Sequence, residues 1–333
     1  MRMNLPAIKS QPRTETYSHS ISLRSHAGGK CLTIFSPMLA LLLAFLTAFT
    51  ARAEEAAPGK PLLWRIGSEK PSYVFGTIHL AGPRETKIAP MTEKALNGCD
   101  ALLCEIPMDM VSQLKAATGM MNSNQSLKAK LPKDLYDGAE AELKLINPAL
   151  SLEPFDHLQT WAIMIILPLI EEQMKRPDGK PLDAQLYARA EAAGKKVGGI
   201  ETIEEQLAVF SDFTADEQNA MLRSTLDDMR KGRREKVSPI EQLREAYLTG
   251  DLATLDAKIT EWMKDLDPAL LKHVLAALIT KRNHVMADRM AEKVKNGGGK
   301  SFFFAIGAGH LGGDEGVLKL LEKAGLKVER VVE

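Results

Sequence analysis

Two short apolar runs, far apart in the chain, have the composition of buried strands. The first spans residues 73–75, consists of aromatic and β-branched residues, and leads into Gly76-Thr77-Ile78-His79. The second spans residues 301–306 and leads into Gly307-Ala308-Gly309-His310. Runs of this length and composition predict strands. Each strand would deliver a Gly-x-x-His motif to its carboxyl end, so the pattern predicts that the two histidines close one site.

Further strands are predicted around this pair. Residues 62–66 and 73–79, joined by a turn, predict a β-hairpin. Near the end of the chain, residues 315–324 predict a helix that Gly325 stops, and residues 326–332 predict a last strand.

Two more predicted strands end on carboxylates. Residues 101–106 form an apolar run that carries Glu105 near its end, and residues 195–201 form a short strand that ends at Glu201. Burying an unpaired charge is costly. We therefore expect Glu105 to have a partner.

Between residues 108 and 295 the pattern is mainly helical. Capping boxes are predicted at Thr214-x-x-Glu217 and at Ser238-Pro239-Ile240-Glu241, and Asp267-Pro268 predicts a further helix start. The apolar run over residues 161–170 is too short to span a bilayer and predicts a buried core helix. The predicted fold class is therefore α/β (α+β), with a central mixed β-sheet flanked by helices and a large, mostly helical insertion over about residues 108–295.

The N-terminal part of the chain has the pattern of an export signal. Basic residues precede an uncharged run over residues 31–51, which ends at Ala51-Arg52-Ala53, an A-x-A cleavage pattern. We expect a signal peptide with an extended basic region over residues 1–53, a flexible lead-in over 54–61 and a domain over 62–333. Cleavage would leave a periplasmic or secreted protein without a membrane contact. An uncleaved N-terminal anchor is the alternative, because the uncharged run is about as long as a bilayer span.

The charge balance argues against a nucleic-acid partner. The chain has 43 Lys and Arg against 43 Asp and Glu, a net charge of +0, and no basic stripe interleaved with aromatic residues. The sequence does not specify an oligomeric state.

The two cysteines outside the predicted signal are Cys99 and Cys104. If they lie on one strand, five steps of about 3.3 Å separate their Cα atoms by about 16 Å. A disulfide tolerates no more than about 7 Å. We therefore expect no bridge, and two small buried side chains.

The predicted strands thus end in His79, Glu105, Glu201 and His310. In open α/β sheets, ligands bind in the crevice beyond the carboxyl ends of the strands. Two imidazoles with one or two carboxylates are typical ligands of a Mn, Co, Zn or Fe site. They differ from the ligands of a structural zinc site, which are mainly thiolates. Gly76 and Gly309 are expected to let backbone or substrate approach closely. The alternative is that the histidines only cap loops and that Glu105 pairs with an arginine.

Three other sequence features are weaker evidence of a functional site. Gly299-Lys300-Ser301 lacks the first glycine of a P-loop and precedes its strand. Gly307-x-Gly309-x-x-Gly312 resembles a dinucleotide fingerprint, but too little chain follows it for the βαβ units that such a fold requires. His157, His273 and His284 are single histidines in helical stretches, and we interpret them as structural or surface residues.

Several motifs, in this order, resemble those of one family. They are Gly76-Thr77-Ile78-His79, the strand ending in Glu105, Gly199-Ile200-Glu201-Thr202 with Gln206, Lys281-Arg282-Asn283 followed by Met286-Ala287, and Gly307-Ala308-Gly309-His310-Leu311-x-Gly313. Together they resemble the TraB/GumN family, to which the Tiki metalloproteases are related. The resemblance extends from about residue 60 to the end of the chain. It implies an α+β or α/β domain with a mostly helical insertion and a metal-dependent hydrolase site.

The resemblance also implies roles for individual residues. His79 and His310 correspond to the two Gly-x-x-His histidines, and Glu105 to the acidic residue that follows the first of them. Glu201 corresponds to the glutamate of the Gly-x-Glu-Thr segment. The Arg282-Asn283 pair would supply supporting polar groups near the site.

Our first functional hypothesis is an exported metal-dependent hydrolase of the peptidase type, acting on a peptide or protein. His79, His310 and one carboxylate would bind Mn, Co or Zn, which lowers the pKa of bound water to about 7. Glu105 is favoured as the general base, and Arg282 would stabilise the oxyanion. Which of Glu105 and Glu201 is the ligand stays open.

Two alternatives belong to other classes. A non-catalytic periplasmic protein could use the same cleft to bind a metal or haem without turnover. An adaptor could dock a partner on its helical insertion and keep the residues at the strand ends as structural remnants.

Overall fold

The structure is a computed structural model of the chain. It describes residues 60–67, 70–79, 81–122 and 124–332. The predicted signal peptide over residues 1–53 lies outside the described residues, as does most of the lead-in predicted over 54–61. In the part of the chain that is described, no helix is both long enough and apolar enough to cross a membrane.

The described strands form one mixed sheet at the centre of the fold. They are β1 (Leu63–Ile66), β2 (Ser72–Thr77), β3 (Ala101–Cys104), β4 (Lys196–Gly199), β5 (Phe302–Gly307) and β6 (Val328–Arg330). Their order across the sheet is β4-β3-β5-β2-β1-β6. The predicted hairpin is confirmed, because β1 and β2 pair antiparallel. Strand β6 pairs antiparallel with β1 at one edge.

Helices flank the sheet, and most of them lie between β3 and β5 in the chain. They are α1 (Pro90–Gly98), α2 (Met110–Gly119), α3 (Leu127–Lys130), α4 (Lys133–Ile146), α5 (Thr160–Lys175), α6 (Leu182–Ala192), α7 (Ile203–Ser211), α8 (Ala215–Glu235), α9 (Pro239–Thr249), α10 (Leu252–Trp262), α11 (Pro268–Leu275), α12 (Lys281–Asn296) and α13 (Val317–Lys323). A π-helical turn, Ala276–Thr280, joins α11 to α12, and a 3₁₀ turn, Ala308–His310, follows β5. This architecture confirms the predicted α/β class with a mixed central sheet.

Four of the strands run in the same direction. Strand β5 pairs in parallel with β2 and with β3, and β3 pairs in parallel with β4. Their carboxyl ends therefore lie at one edge of the sheet. His79, Glu105, Glu201 and His310 each follow one of these strands within three residues. The topology alone brings the four predicted residues to the same edge.

Strand β5 lies in the middle of the hydrophobic core. All six of its residues are buried, and Phe303 and Phe304 are fully buried. A parallel strand covered on both faces has a continuous apolar sequence. Met286 and Met290 of α12 belong to the same buried cluster. The strand that carries His310 is therefore held firmly on both sides.

Helix starts follow the predicted capping chemistry. At the start of α8, Thr214 and Glu217 form both hydrogen bonds of the predicted capping box. At the start of α9 only half of the predicted box forms, because the Ser238 hydroxyl accepts from the Glu241 N–H while the Glu241 carboxylate pairs with Arg176. Asp267 caps α11 at its predicted start. A further capping box, formed by Thr202 and Glu205, starts α7 immediately after Glu201. This box was not among the predicted helix starts.

Cys99 and Cys104 are both free and buried, as expected. Burial raises the pKa of the Cys99 thiol to about 11, so it stays protonated at neutral pH. Both are small core residues: Cys99 is the C-cap of α1, two residues before β3 begins, and Cys104 is the last residue of β3.

Candidate functional site

The two Gly-x-x-His motifs enter the site from neighbouring parallel strands. Thr77 of β2 lies opposite Gly307 of β5 in the register. The imidazole of His79 follows two residues after the first strand, and that of His310 three residues after the second. The His310 side chain is 7% exposed and that of His79 is 59% exposed. One ring is therefore at the floor of the site and the other at its opening.

Both imidazoles face the same carboxylate oxygen. The Oε1 atom of Glu105 lies 3.9 Å from Nε2 of His79 and 3.8 Å from Nε2 of His310. The Glu105 side chain is buried, and the backbone N–H of Gly307 donates to Oε1 at 2.7 Å. Three atoms that could act as metal ligands therefore converge from three separate strand ends.

The second nitrogen of each imidazole contacts an oxygen. Nδ1 of His79 lies 2.9 Å from Oδ2 of Asp183, and Nδ1 of His310 lies 2.7 Å from Oδ1 of Asn283. The amide of Asn283 donates to the carbonyl of Glu315 at 2.8 Å, so its Oδ1 is the acceptor for His310. We therefore place a proton on Nδ1 of each ring. The hydrogen bonds at Nδ1 orient the two rings so that both Nε2 atoms face Glu105.

Arg282 joins the two glutamates. Its Nη2 donates to Oε2 of Glu105 at 2.5 Å and to Oε2 of Glu201 at 2.7 Å, and its Nε contacts both oxygens of Glu201. Nη1 lies 3.3 Å from Nε2 of His310. The amide of Gln206 donates to both glutamates as well. Glu105 thus has the arginine partner that a buried carboxylate requires.

The charges in the site shift its pKa values in opposite directions. Burial lowers the pKa of His310 to about 4, so this ring is neutral at pH 7. The Asp183 carboxylate raises the pKa of His79 to about 9. Burial by itself would raise the pKa of Glu105, but the neighbouring His310, His79 and Arg282 hold it well below its ordinary value. Because His310 is neutral, His79 and Arg282 carry the positive charge that faces this carboxylate.

Gly307 leaves open the space between the three donors. A Cβ atom at this position would lie 3.0 Å from Oε1 of Glu105, 3.5 Å from Nε2 of His79 and 3.6 Å from Cδ2 of His310. The side chains of Glu105, His79 and His310 therefore surround a common point, and any side chain larger than that of glycine at position 307 would occupy it.

The explanation predicted for Gly76 and Gly309 is wrong. A Cβ on Gly76 would meet the apolar side chains of Leu311, Leu62 and Ala308, and one on Gly309 would meet Ile259. At both positions the close neighbours are apolar side chains, so packing explains these glycines better than access of backbone or substrate does. The glycine that faces the donors is Gly307.

The donor set fits a divalent metal in its chemistry. Ligand bonds of about 2.0–2.2 Å place tetrahedral donor atoms about 3.4 Å apart, so the 3.8 and 3.9 Å separations require a small closure. As they stand, the described residues contain no group of three His, Cys, Asp or Glu side chains close enough together to hold a metal ion. The two imidazoles nevertheless have the outer-shell oxygen partners that metal-binding histidines use. His79, His310 and Glu105 therefore have the donor chemistry for such an ion, and their spacing would have to close for them to bind it.

The structure separates Glu201 from the two imidazoles. Among the described residues, its carboxylate forms hydrogen bonds with Arg282 and Gln206 and contacts neither His79 nor His310. Its place is behind Arg282, which it holds against Glu105.

Asp183 was not among the predicted site residues. This residue lies in the first turn of α6, where acidic residues are common because of the helix dipole. The one unusual signal is the position of α6 between two predicted strands of the site, and that signal does not single out a residue.

The remaining candidate motifs lie outside the site. His273 pairs with Glu217 and His284 with Glu315, each at 2.7 Å. The segment after Gly307 forms a 3₁₀ turn and leads only to α13 and β6, so it lacks the further βαβ units of a dinucleotide fold.

Comparison with known proteins identifies relatives of the chain. It is 24% identical to metalloprotease TIKI1 of Danio rerio, over 90% of this chain and 72% of that protein. It is 26% identical to metalloprotease TIKI2 of Xenopus tropicalis and 27% identical to metalloprotease TIKI1 of Homo sapiens, over 80% of this chain in both cases. The alignments cover 59% and 61% of those two proteins, so the chain spans about three fifths of their length.

No solved structure matches the chain significantly. A family model, in contrast, matches residues 62–330, which include every residue of the site. This match agrees with the resemblance that the Gly-x-x-His motifs indicated. The chain belongs to the TraB/PrgY/gumN family.

Proposed function

We propose that this protein is a metal-dependent hydrolase that cleaves peptide bonds. The observation that carries the proposal is the convergence of two imidazole Nε2 atoms on one oxygen of the buried Glu105 carboxylate. The names of the relatives, which are metalloproteases, support the peptidase class.

Three side chains would hold the metal. His79 and His310 offer Nε2, and Glu105 offers Oε1. This mixed nitrogen and oxygen set, without thiolate, suits Mn, Co or Zn. The chemistry that a bound divalent metal supplies is activation of water at neutral pH and polarisation of the substrate carbonyl.

Glu105 is better suited to binding the metal than to acting as general base. Its Oε1 faces both imidazoles and accepts from the Gly307 N–H, while its Oε2 accepts from Arg282 and Gln206. Oε2 already accepts two hydrogen bonds, and Oε1 accepts one and would use its remaining lone pair for the cation that the imidazoles share, which leaves none for a proton from water. The proposal therefore gives Glu105 the role of ligand, and the role of general base predicted for it has less support.

Arg282 would change its contacts when a cation binds. Nε2 of His310 cannot accept from Nη1 of Arg282 and bind a cation with the same lone pair, so this 3.3 Å contact has to open. Because the guanidinium is planar and rigid, the contact would open by a tilt of the whole group, with Glu201 kept as the acceptor of Nε and Nη2. Nη1 then becomes a donor that can stabilise the oxyanion of the substrate.

Substrate would approach from the side of His79. This imidazole is more than half exposed, whereas the His310, Glu105 and Arg282 side chains are at most 14% exposed. A peptide carbonyl entering past His79 would meet the buried donors beneath it. The site is therefore open on one side and dry on the other, which strengthens its electrostatic interactions.

The experiment uses the purified chain, stripped with a chelator and refilled with Mn, Co or Zn, against a peptide library. A His79→Ala/His310→Ala double variant removes two donors, and a His273→Ala/His284→Ala double variant is the matched control, because these histidines pair with glutamates elsewhere. We expect turnover in the refilled wild type and the control, and none in the site variant. Equal background rates in all three proteins would refute the hydrolase. Stoichiometric binding of metal or haem without turnover would favour the non-catalytic alternative.

A further inference from the structure

Asp183 is held directly against the loop that carries His79. Its side chain is 5% exposed, and its Oδ2 lies 2.9 Å from Nδ1 of His79. The N–H of Leu182 donates to the carbonyl of Ile78, and the N–H of Lys180 donates to the carbonyl of Ala81. The start of α6 and the residues just before it therefore hold the His79 loop by backbone hydrogen bonds on both sides of the histidine.

The burial of this carboxylate needs a reason. An acidic residue in the first turn of a helix interacts with the helix dipole even when it is exposed. Asp134, in the first turn of α4, is such a case, with a side chain that is 59% exposed. Asp183 instead is buried, and among the described residues its ion-pair partner is His79. The N–H of Ala184 also donates to its Oδ1, so both oxygens of the carboxylate have partners. Because a buried ion pair is weak evidence of a role in stability, a role toward His79 explains this position better.

The two histidines of the site have partners of different charge. Nδ1 of His310 donates to the neutral amide of Asn283, whereas Nδ1 of His79 faces a carboxylate. His310 is buried between elements that already fix its ring. His79 is largely exposed, and the orientation of its ring depends more strongly on the one group that holds it.

We propose that Asp183 is the positioning residue of His79. Its carboxylate accepts a hydrogen bond from the Nδ1–H of His79 and thereby keeps Nε2 directed at the point it shares with His310 and Glu105. Metal-binding histidines use carboxylates in this way, and loss of such a partner typically weakens metal binding by about 10–100-fold. This inference rests on the proposed function, because it concerns the affinity of the same site.

The test compares Zn²⁺ affinity, measured by competition with a chromophoric chelator, in the wild type and three variants. Asp183→Ala removes the acceptor, Asp183→Asn keeps the shape and loses the charge, and Asp134→Asn is the control for removal of a first-turn carboxylate. We expect weaker binding by about 10–100-fold in Asp183→Ala, an intermediate loss in Asp183→Asn and no change in the control. Thermal unfolding of the apo proteins identifies a variant that does not fold. If Asp183→Ala does not fold, the Asp183→Asn comparison decides.

A spectroscopic measurement separates positioning from a structural role. Long-range ¹H–¹⁵N spectra of the Zn-loaded wild type should give a protonated Nδ1 for His79, and this signal should shift or vanish in both Asp183 variants. The inference fails if both variants bind Zn²⁺ as tightly as the control, with unchanged His79 nitrogen shifts. A wild type that binds none of Zn, Mn or Co refutes the proposed function itself, and with it this inference. Failure of this inference would therefore be observed in the Asp183 variants, and failure of the proposed function in the wild type.

Discussion

At the scale of single residues, the carboxyl edge of the sheet carries more buried polar groups than stability requires. The side chains of Glu105, Glu201, Asp183 and Arg282 are each at most 14% exposed, and Asn283 is also buried. Replacing buried ion pairs with apolar residues is often neutral or stabilising. Their concentration in one place is therefore better explained by a function of that place.

The first prediction concerns Gly307. Its φ of −53° and ψ of 131° are accessible to alanine, so Gly307→Ala introduces no backbone strain. We expect the free energy of unfolding to change by less than about 1 kcal/mol, since loss of unfolded-state entropy offsets part of the crowding. The new Cβ would occupy the space between the donors, so metal affinity should fall by at least about tenfold, as for loss of an outer-shell partner. Titration with Zn²⁺ and urea denaturation measure the two quantities.

Gly198→Ala is the control for this substitution. Gly198 also lies on a parallel strand, and its Cβ would meet only Leu103, at 3.2 Å. It should leave metal affinity unchanged. If both variants bind metal like the wild type, the space in front of Gly307 is not the binding site.

At the scale of secondary structure elements, the start of α7 determines where Glu201 lies. The capping box fixes Thr202, and its Glu205 also pairs with Arg289, whose Nη1 donates to the carbonyl of Ile200. The residues on both sides of Glu201 are therefore clamped. This arrangement holds the carboxylate against the guanidinium of Arg282.

The second prediction compares two caps. Thr202→Ala and Thr214→Ala each remove the side chain of a complete capping box. Loss of such a cap typically costs about 1 kcal/mol, so both variants should be destabilised by similar amounts in urea denaturation. Only Thr202→Ala should weaken metal binding, because only that box adjoins the site. Equal metal affinities in the two variants would show that Glu201 does not depend on the helix start.

The sequence predicted the elements of the site better than their contacts. Parallel strands bring their carboxyl ends together, so an apolar run followed by His or Glu was a sufficient signal for His79, Glu105 and His310. Asp183 could not be predicted, because it lies 104 residues from its partner and resembles any first-turn acidic residue. The π-helical turn before Arg282 gave no local signal either, although such turns often occur at functional sites.

At the scale of the whole molecule, the two edges of the sheet are organised differently. The carboxyl edge holds the candidate site. At the amino edge, Asp100 connects three segments, because its Oδ2 accepts from the Lys70 ammonium at 2.8 Å and from the Ser301 N–H at 2.7 Å. Asp100 precedes β3 and Ser301 precedes β5, so this contact fixes the starts of the two strands whose ends deliver Glu105 and His310.

The third prediction follows from the charge of Asp100. The hydrogen bond from Lys70, together with the one from the Ser301 backbone, lowers the pKa of this carboxyl from 3.8 to about 2. A lowered folded-state pKa means that the ionised group stabilises the fold above about pH 4, where it is also ionised in the unfolded chain, and that this contribution disappears as the pH falls toward 2. Asp100→Asn lacks the charge at every pH. Urea denaturation should therefore find the variant less stable than the wild type between pH 5 and 7, with the difference shrinking steadily toward pH 2.5. If the difference in stability stayed constant from pH 7 down to pH 2.5, Asp100 would act through hydrogen bonding alone, and its charge would not link the strands.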